Sequence, residues 1–142
     1  MSVLPEIERE YVESGKAKFE AKPIAILGEE SVLAASAAAC ANDQGRYWEF
    51  HDILFANQGR EGGGAFSADN LKRFAEALSL DTAAFNTCLD TGKYESQVQA
   101  ATQESRADGV KVTPTVLVNG EGVDPTTDAI KAAIETALAG GS

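Results

Sequence analysis

Apolar and polar positions recur along the chain with periods that mark successive elements. In LPEIEREYVES (4–14), Leu4, Ile7, Tyr11 and, one step off, Val12 follow the three-to-four spacing of an amphipathic helix, which Gly15 stops. Its apolar face begins almost at the first residue, so this helix is expected to be the second half of a longer one. KAKFEA (16–21) alternates weakly, with Ala17, Phe19 and Ala21 on one face, and predicts a short strand. Lys22-Pro23 breaks it, and Ile24 to Leu27 leads into a turn at Gly28. Residues 29–42 predict an alanine-rich helix whose small side chains let a neighbour approach closely. RYWEFHDILFA (46–56) predicts a second helix with a broad apolar face. Asn57 to Gly64, with glycines at 59 and 62–64, reads as a flexible loop. Ser67 caps a helix through Leu78, Asp81 caps one through Leu89, and 93–107 form a polar amphipathic helix ending at Gly109.

The pattern then changes period. Val110 to Val118 predicts two β segments around Thr113-Pro114. Asn119-Gly120 is a hairpin turn signal, and Gly122-Val123 a brief returning strand. Asp124 is the expected cap of a last helix, with Pro125 at its first position, running to about Ala139. Gly140-Gly141-Ser142 reads as a flexible tail. The order is helix, strand, a block of helices, strand, strand, helix: a small α/β unit with a helical block inside it.

Composition narrows the function classes. Of 142 residues, 44% are apolar and 24% charged, which suits one soluble globular domain. The best apolar run, Leu33 to Ala41, holds Ser36 and is too short to span a bilayer. No cationic start followed by an apolar stretch marks a secretory signal. With 12 Lys and Arg against 22 Asp and Glu, the net charge is −10, which repels phosphate backbones and argues against nucleic-acid partners. Two cysteines, Cys40 and Cys88, are too few for a disulfide scaffold and too far apart for a local metal knuckle.

Several phrases carry a family resemblance: LPEIEREYVESGKAKF, AASAAACANDQGRYWEFHDILFANQ, FNTCLDTGKY, GVKVTPTVLVNG and DAIKAAIETAL. Together they resemble the DsbA-like thioredoxin-fold family, in its bacterial branch, from Val3 to Ala139. The resemblance implies thiol–disulfide exchange with substrate proteins in an extracytoplasmic compartment. It also implies a Cys-x-x-Cys at the N-terminus of the first helix, where the helix dipole activates the first thiol. The chain starts inside that helix and lacks the motif, and neither Cys40 nor Cys88 replaces it by position. Each looks like the additional cysteine some relatives carry in the helical insertion. By the same resemblance, Thr113-Pro114 is the cis-proline step whose preceding residue pairs with a substrate peptide. The polar stretch Phe19-Glu20-Ala21-Lys22, and Asp108 before Gly109, suggest an altered sheet.

The candidate residues are weighed against blander roles. Cys40 and Cys88 read as two small buried hydrophobes or a structural disulfide, ahead of a redox pair, since nothing nearby supplies a cationic, helix-N-terminal setting for either thiol. A zinc site is disfavoured, because His51 is the only nitrogen ligand available. His51 reads as a surface or capping residue. Trp48, Phe50 and Phe55 read as core, and Asp43, Glu49 and Asp52 as a solvated acidic face. Gly62 to Gly64 lack the Lys-Ser/Thr of a phosphate loop.

The resulting expectation is an α/β, thioredoxin-like single domain (1–142) with a helical insertion over about 28–108 and an incomplete or rearranged sheet. Its function is expected to be that of a truncated or engineered, catalytically inactive scaffold or assembly unit. The alternative is a protein thiol–disulfide oxidoreductase. A weaker one is a split half completed by a partner that brings the missing strand and motif. No cofactor and no metal are expected. The partner is a second copy joined at an exposed sheet edge or a polypeptide substrate, with no nucleic acid and no membrane span.

Overall fold

The computed structural model describes residues 3–60 and 62–140. Glu61 of the glycine loop, the first two residues, and Gly141 and Ser142 of the expected tail lie outside the described residues. The chain divides into two compact units, one made of its two ends (to Ala21, and from Gly109) and the other of Lys22–Asp108.

In the first unit, helix α1 (Val3–Ile7) continues as a π-helical turn, Glu8–Val12. That turn is closed by the Glu13 amide donating to the Glu8 carbonyl at 2.9 Å. Strands β1 (Val116–Val118) and β2 (Glu121–Val123) pair antiparallel, Val116 opposite Val123 and Val118 opposite Glu121. Asn119 and Gly120 both take positive φ, 51° and 86°, as a two-residue type I′ turn requires. Helix α7 (Thr127–Gly140) completes the unit. Its core is Ile7, Tyr11, Ile130 and Ile134, with Val116, Val118 and Val123 packed against it, while Leu117 points outward. Strand alternation thus places one face of the hairpin on the core. Lys131 on α7 donates to Glu6 and Glu10, both at 2.5 Å, and the Tyr11 hydroxyl donates to Glu135 at 2.9 Å.

The second unit holds α2 (Glu29–Asn42), α3 (Tyr47–Ala56), α4 (Ala68–Ala77), α5 (Thr82–Asp90) and α6 (Glu95–Ala107). Helix α2 packs against each of the other four. It can do so because its surface is mostly methyl groups: Ala34, Ala35, Ala37, Ala38 and Ala41 are buried. Phe50, Leu71, Phe85 and Leu89 fill the space around it. The Ser67 and Asp81 side chains accept the Asn70 and Ala84 amides, the capping bonds their residue types predict.

Several expectations are corrected. Residues 16–21 form no strand, nor do Val110–Val112; among the described residues the sheet is the β1–β2 pair alone. The amides of Lys16 and Ala17 turn back to the Tyr11 carbonyl, both at 2.9 Å, instead of entering a ladder. In the next segment, the Ala25 amide donates to the Thr102 hydroxyl at 3.0 Å. The last helix starts two residues later than expected. Its cap is Thr126, whose hydroxyl accepts the Ala129 amide, so Asp124 and Pro125 precede the helix. The glycine loop is tied down, because Glu30 accepts the Gly64 amide at 2.7 Å and Asn70 donates to the Gly64 carbonyl at 3.0 Å. Those amides face a carboxylate, which a phosphate would have to displace.

Candidate functional site

Cys40 lies in the last turn of α2 and Cys88 near the end of α5, with Cα atoms 5.9 Å apart, and the two are joined in a disulfide. Both belong to the alanine- and phenylalanine-lined core of the second unit. Cys40 is 1% exposed and Cys88 9%, so Cys88 is the sulfur nearer to solvent.

Polar groups tie the end of α2 to both ends of α5 as well. Gln44 accepts the Asp81 amide at 2.8 Å and donates to the Asp81 carbonyl at 3.1 Å. Asp43, the residue just past α2, accepts from Lys93 Nζ at 2.8 Å and from the Tyr94 hydroxyl. The same Asp43 Oδ2 stands 4.0 Å from Cys88 Sγ. The Lys93 bond, then the Tyr94 bond, hold the Asp43 carboxyl below its usual range. Asp43 in turn, then Tyr94, raise the Lys93 ammonium above its own. Each charged group therefore favours the ionised form of the other. The Lys93 amide also donates to the Cys88 carbonyl at 3.2 Å.

This arrangement adds to the expectations for these residues. Asp43 is exposed, as expected of a solvated acid, and its carboxylate also pairs with Lys93 beside the disulfide. Lys93, five residues after Cys88, reaches the side of Asp43 that faces Cys88, past the C-terminal end of α5 and not at a helix N-terminus. Glu49 pairs with Arg46 at 3.1 Å and Asp52 with His51 at 3.2 Å. Of the three aromatic residues expected in the core, only Phe50 is fully buried; Trp48 and Phe55 are exposed. His51 lies between those two, with ring centroids at 5.3 and 4.7 Å. Asp43, Lys93 and Tyr94 were missed as a group. The signal was the phrase FNTCLDTGKY, which keeps Lys93 and Tyr94 within one turn of the end of α5.

In the first unit, Thr113 and Pro114 are exposed and the peptide bond between them is cis. Among the described residues, no group of three or more His, Cys, Asp or Glu side chains could hold a metal. No described helix is long and apolar enough to cross a membrane.

Comparison with known proteins adds to this geometry. A family model described as Thioredoxin matches residues 1–136. "Probable disulfide bond formation protein D" of Bacillus anthracis is 25% identical over 142 residues, covering 97% of this chain and 65% of that protein. "Na(+)/H(+) antiporter NhaA 1" of Salinispora arenicola is 34% identical over 110 residues, 76% of this chain but 16% of the antiporter. The chain thus spans less than two thirds of the length of either relative. The crystal structure of oxidised BdbD from Bacillus subtilis superposes with a TM-score of 0.87 at 25% identity, covering 96% of this chain and 77% of that one. These findings overturn the expectation of an inactive, truncated or engineered scaffold. Nearly the whole chain follows disulfide-forming proteins in sequence and in structure, and its two cysteines are joined to each other.

Proposed function

Since the chain belongs to the DsbA-like branch of the thioredoxin family, we propose that it works as a protein thiol–disulfide oxidoreductase acting on polypeptide substrates. The observation that carries this reading is the Cys40–Cys88 disulfide in a chain that follows disulfide bond formation protein D along 97% of its length. Cys40 and Cys88 are both in this bond, so exchange through either of them opens it. A substrate thiolate would attack Cys88 Sγ, the more accessible sulfur. The S–S bond breaks, and its electron pair leaves on Cys40. A second substrate thiolate then attacks the mixed disulfide and releases Cys88 as a thiolate. The substrate becomes oxidised by two electrons and the chain reduced by two. Thr113 and Pro114, exposed at a β-strand entrance, support pairing with an extended peptide. We take the two units as one domain with the helices of about 28–108 inserted, working in an oxidising, extracytoplasmic compartment where such a bond persists. Of the two expected partners, the polypeptide is the one these observations favour over a second copy.

The second reading is a structural cross-link, favoured by the burial of both sulfurs in the core. One experiment separates the two. Oxidised protein is mixed without air with a reduced polypeptide carrying two cysteines. Exchange predicts one substrate disulfide formed for each pair of thiols appearing on the chain, and none with Cys40→Ser/Cys88→Ser. No transfer from a folded, oxidised chain would refute exchange through this bond.

A further inference from the structure

The group around Cys88 holds a charge pair that the exchange reaction does not itself require. Asp43 Oδ2 faces two ways, to Lys93 Nζ at 2.8 Å and to Cys88 Sγ at 4.0 Å. Its other oxygen accepts the Tyr94 hydroxyl, and Lys93 Nζ lies 5.1 Å from the Tyr94 ring centroid. Asp43 and Lys93 are partly open to solvent, with side-chain exposures of 36% and 55%. The nearest charged groups on α5 itself are accounted for, since Asp90 is paired with Lys72 at 2.8 Å. Asp43, with Lys93 paired to it, is therefore the charge that stands beside Cys88 Sγ.

We propose that Asp43 and Lys93 set the reactivity of Cys88 in opposite directions, Asp43 as a brake on attack by thiolates and Lys93 as its release. The attacking thiolate is an anion. Bond formation at Cys88 Sγ breaks the bond to Cys40, and the electron pair leaves on Cys40. When a second thiolate completes the reduction, Cys88 departs as a thiolate beside the Asp43 carboxylate. Asp43 opposes the anionic charge that arrives and the anionic charge that is left behind. Lys93 cancels part of that field, and its pairing with Asp43 fixes how much. The inference rests on the exchange reading only for its use in the cell, because any small thiol can probe it.

The test measures the second-order rate of reduction of the disulfide by glutathione in the intact chain. At about 4 Å, one unit charge in water-like surroundings changes such an equilibrium by roughly fivefold. Asp43→Asn keeps an acceptor for Tyr94 and removes the charge; it should raise the rate about fivefold. Lys93→Gln leaves the carboxylate unopposed and should lower the rate by a smaller factor. Both effects should shrink in 1 M salt. In a Cys40→Ser background, thiolate absorbance should show the Cys88 titration moving down with Asp43→Asn and up with Lys93→Gln. If the cluster merely fastened the two helix ends, both variants would loosen them and both would speed reduction. Changes in the same direction, or no change, would overturn the proposal. Opposite changes would uphold it even if polypeptide exchange failed.

Discussion

Opening the Cys40–Cys88 bond should destabilise the second unit by an amount that its place in the chain sets. The bond closes a loop with a sequence separation of 48. On the chain-entropy account, a loop of that size restricts the unfolded chain by about 4 kcal/mol at 25 °C. The folded side loses little, because both sulfurs stay among Ala37, Ala41, Phe50 and Phe85. With a urea slope of about 2 kcal/mol per molar, the unfolding midpoint should fall by about 2 M. Trp48 is the only tryptophan and lies on α3, so its fluorescence follows the unit that carries the bond. The measurement compares oxidised protein, reduced protein, and Cys40→Ala/Cys88→Ala. Reduced protein should also unfold with a steeper slope, since its unfolded chain exposes more surface. A midpoint shift below about 0.3 M with an unchanged slope would refute the reasoning. The unfolded chain would then be held compact by something other than the cross-link.

Three further outcomes are expected. Phe50→Ala, at a fully buried ring packed on Phe85 (centroids 5.4 Å) and Phe74 (6.4 Å), should cost about 3–5 kcal/mol in the same urea titration. Gly120→Ala, at a φ of 86°, should cost about 1–2 kcal/mol with no steric clash, measured by thermal melting of the first unit. Lys131→Met should lower the melting temperature in a way that depends on pH. The Lys131 bond holds the Glu6 carboxyl below its usual range, so that contribution exists above the unfolded carboxylate range and is lost as pH falls through the folded value. The bonds to Glu10 and Glu6 hold Lys131 above its usual range, so its contribution is complete below about pH 10 and lost as pH rises through the folded value. The gap between wild type and variant should therefore be widest between about pH 5 and 10. An equal gap at every pH would count against the ion pairs.

Elements with a local cause were legible in the sequence. Ser67 and Asp81 accept amides three residues on, a bond that needs nothing beyond one turn of helix. Asn119-Gly120 makes its hairpin for the same reason. Where a partner far along the chain decides the outcome, the reading failed. Alternation in KAKFEA marks a face but supplies no neighbouring strand, and a strand without a ladder partner does not form. The Ala25 amide finds its acceptor on Thr102, at a sequence separation of 77. Asp43 looked like one more exposed acid in an acidic chain. Its cation is Lys93, at a sequence separation of 50, and charge counts taken window by window do not see such a pair.

The alanines and the cysteines, read apart in the sequence, act together in the fold. Disulfide formation requires two Cα atoms within roughly 7 Å. Helix axes packed through large side chains lie about 8–10 Å apart, and small residues at the contact allow the near end of that range or less. On α2 the neighbours of Cys40 are Ala37, Ala38 and Ala41, all buried, and α5 brings Cys88 to a Cα separation of 5.9 Å. A leucine in place of Ala41, which is fully buried, would have to displace a neighbouring helix or side chain to find room. The margin between 5.9 Å and the bridging limit is about 1 Å, less than the width of one methyl group. The composition of α2 is thus part of what places the disulfide. The methyl surface that lets four helices close around α2 also holds its one sulfur within bonding reach of α5, with Asp43 at the open end of the contact.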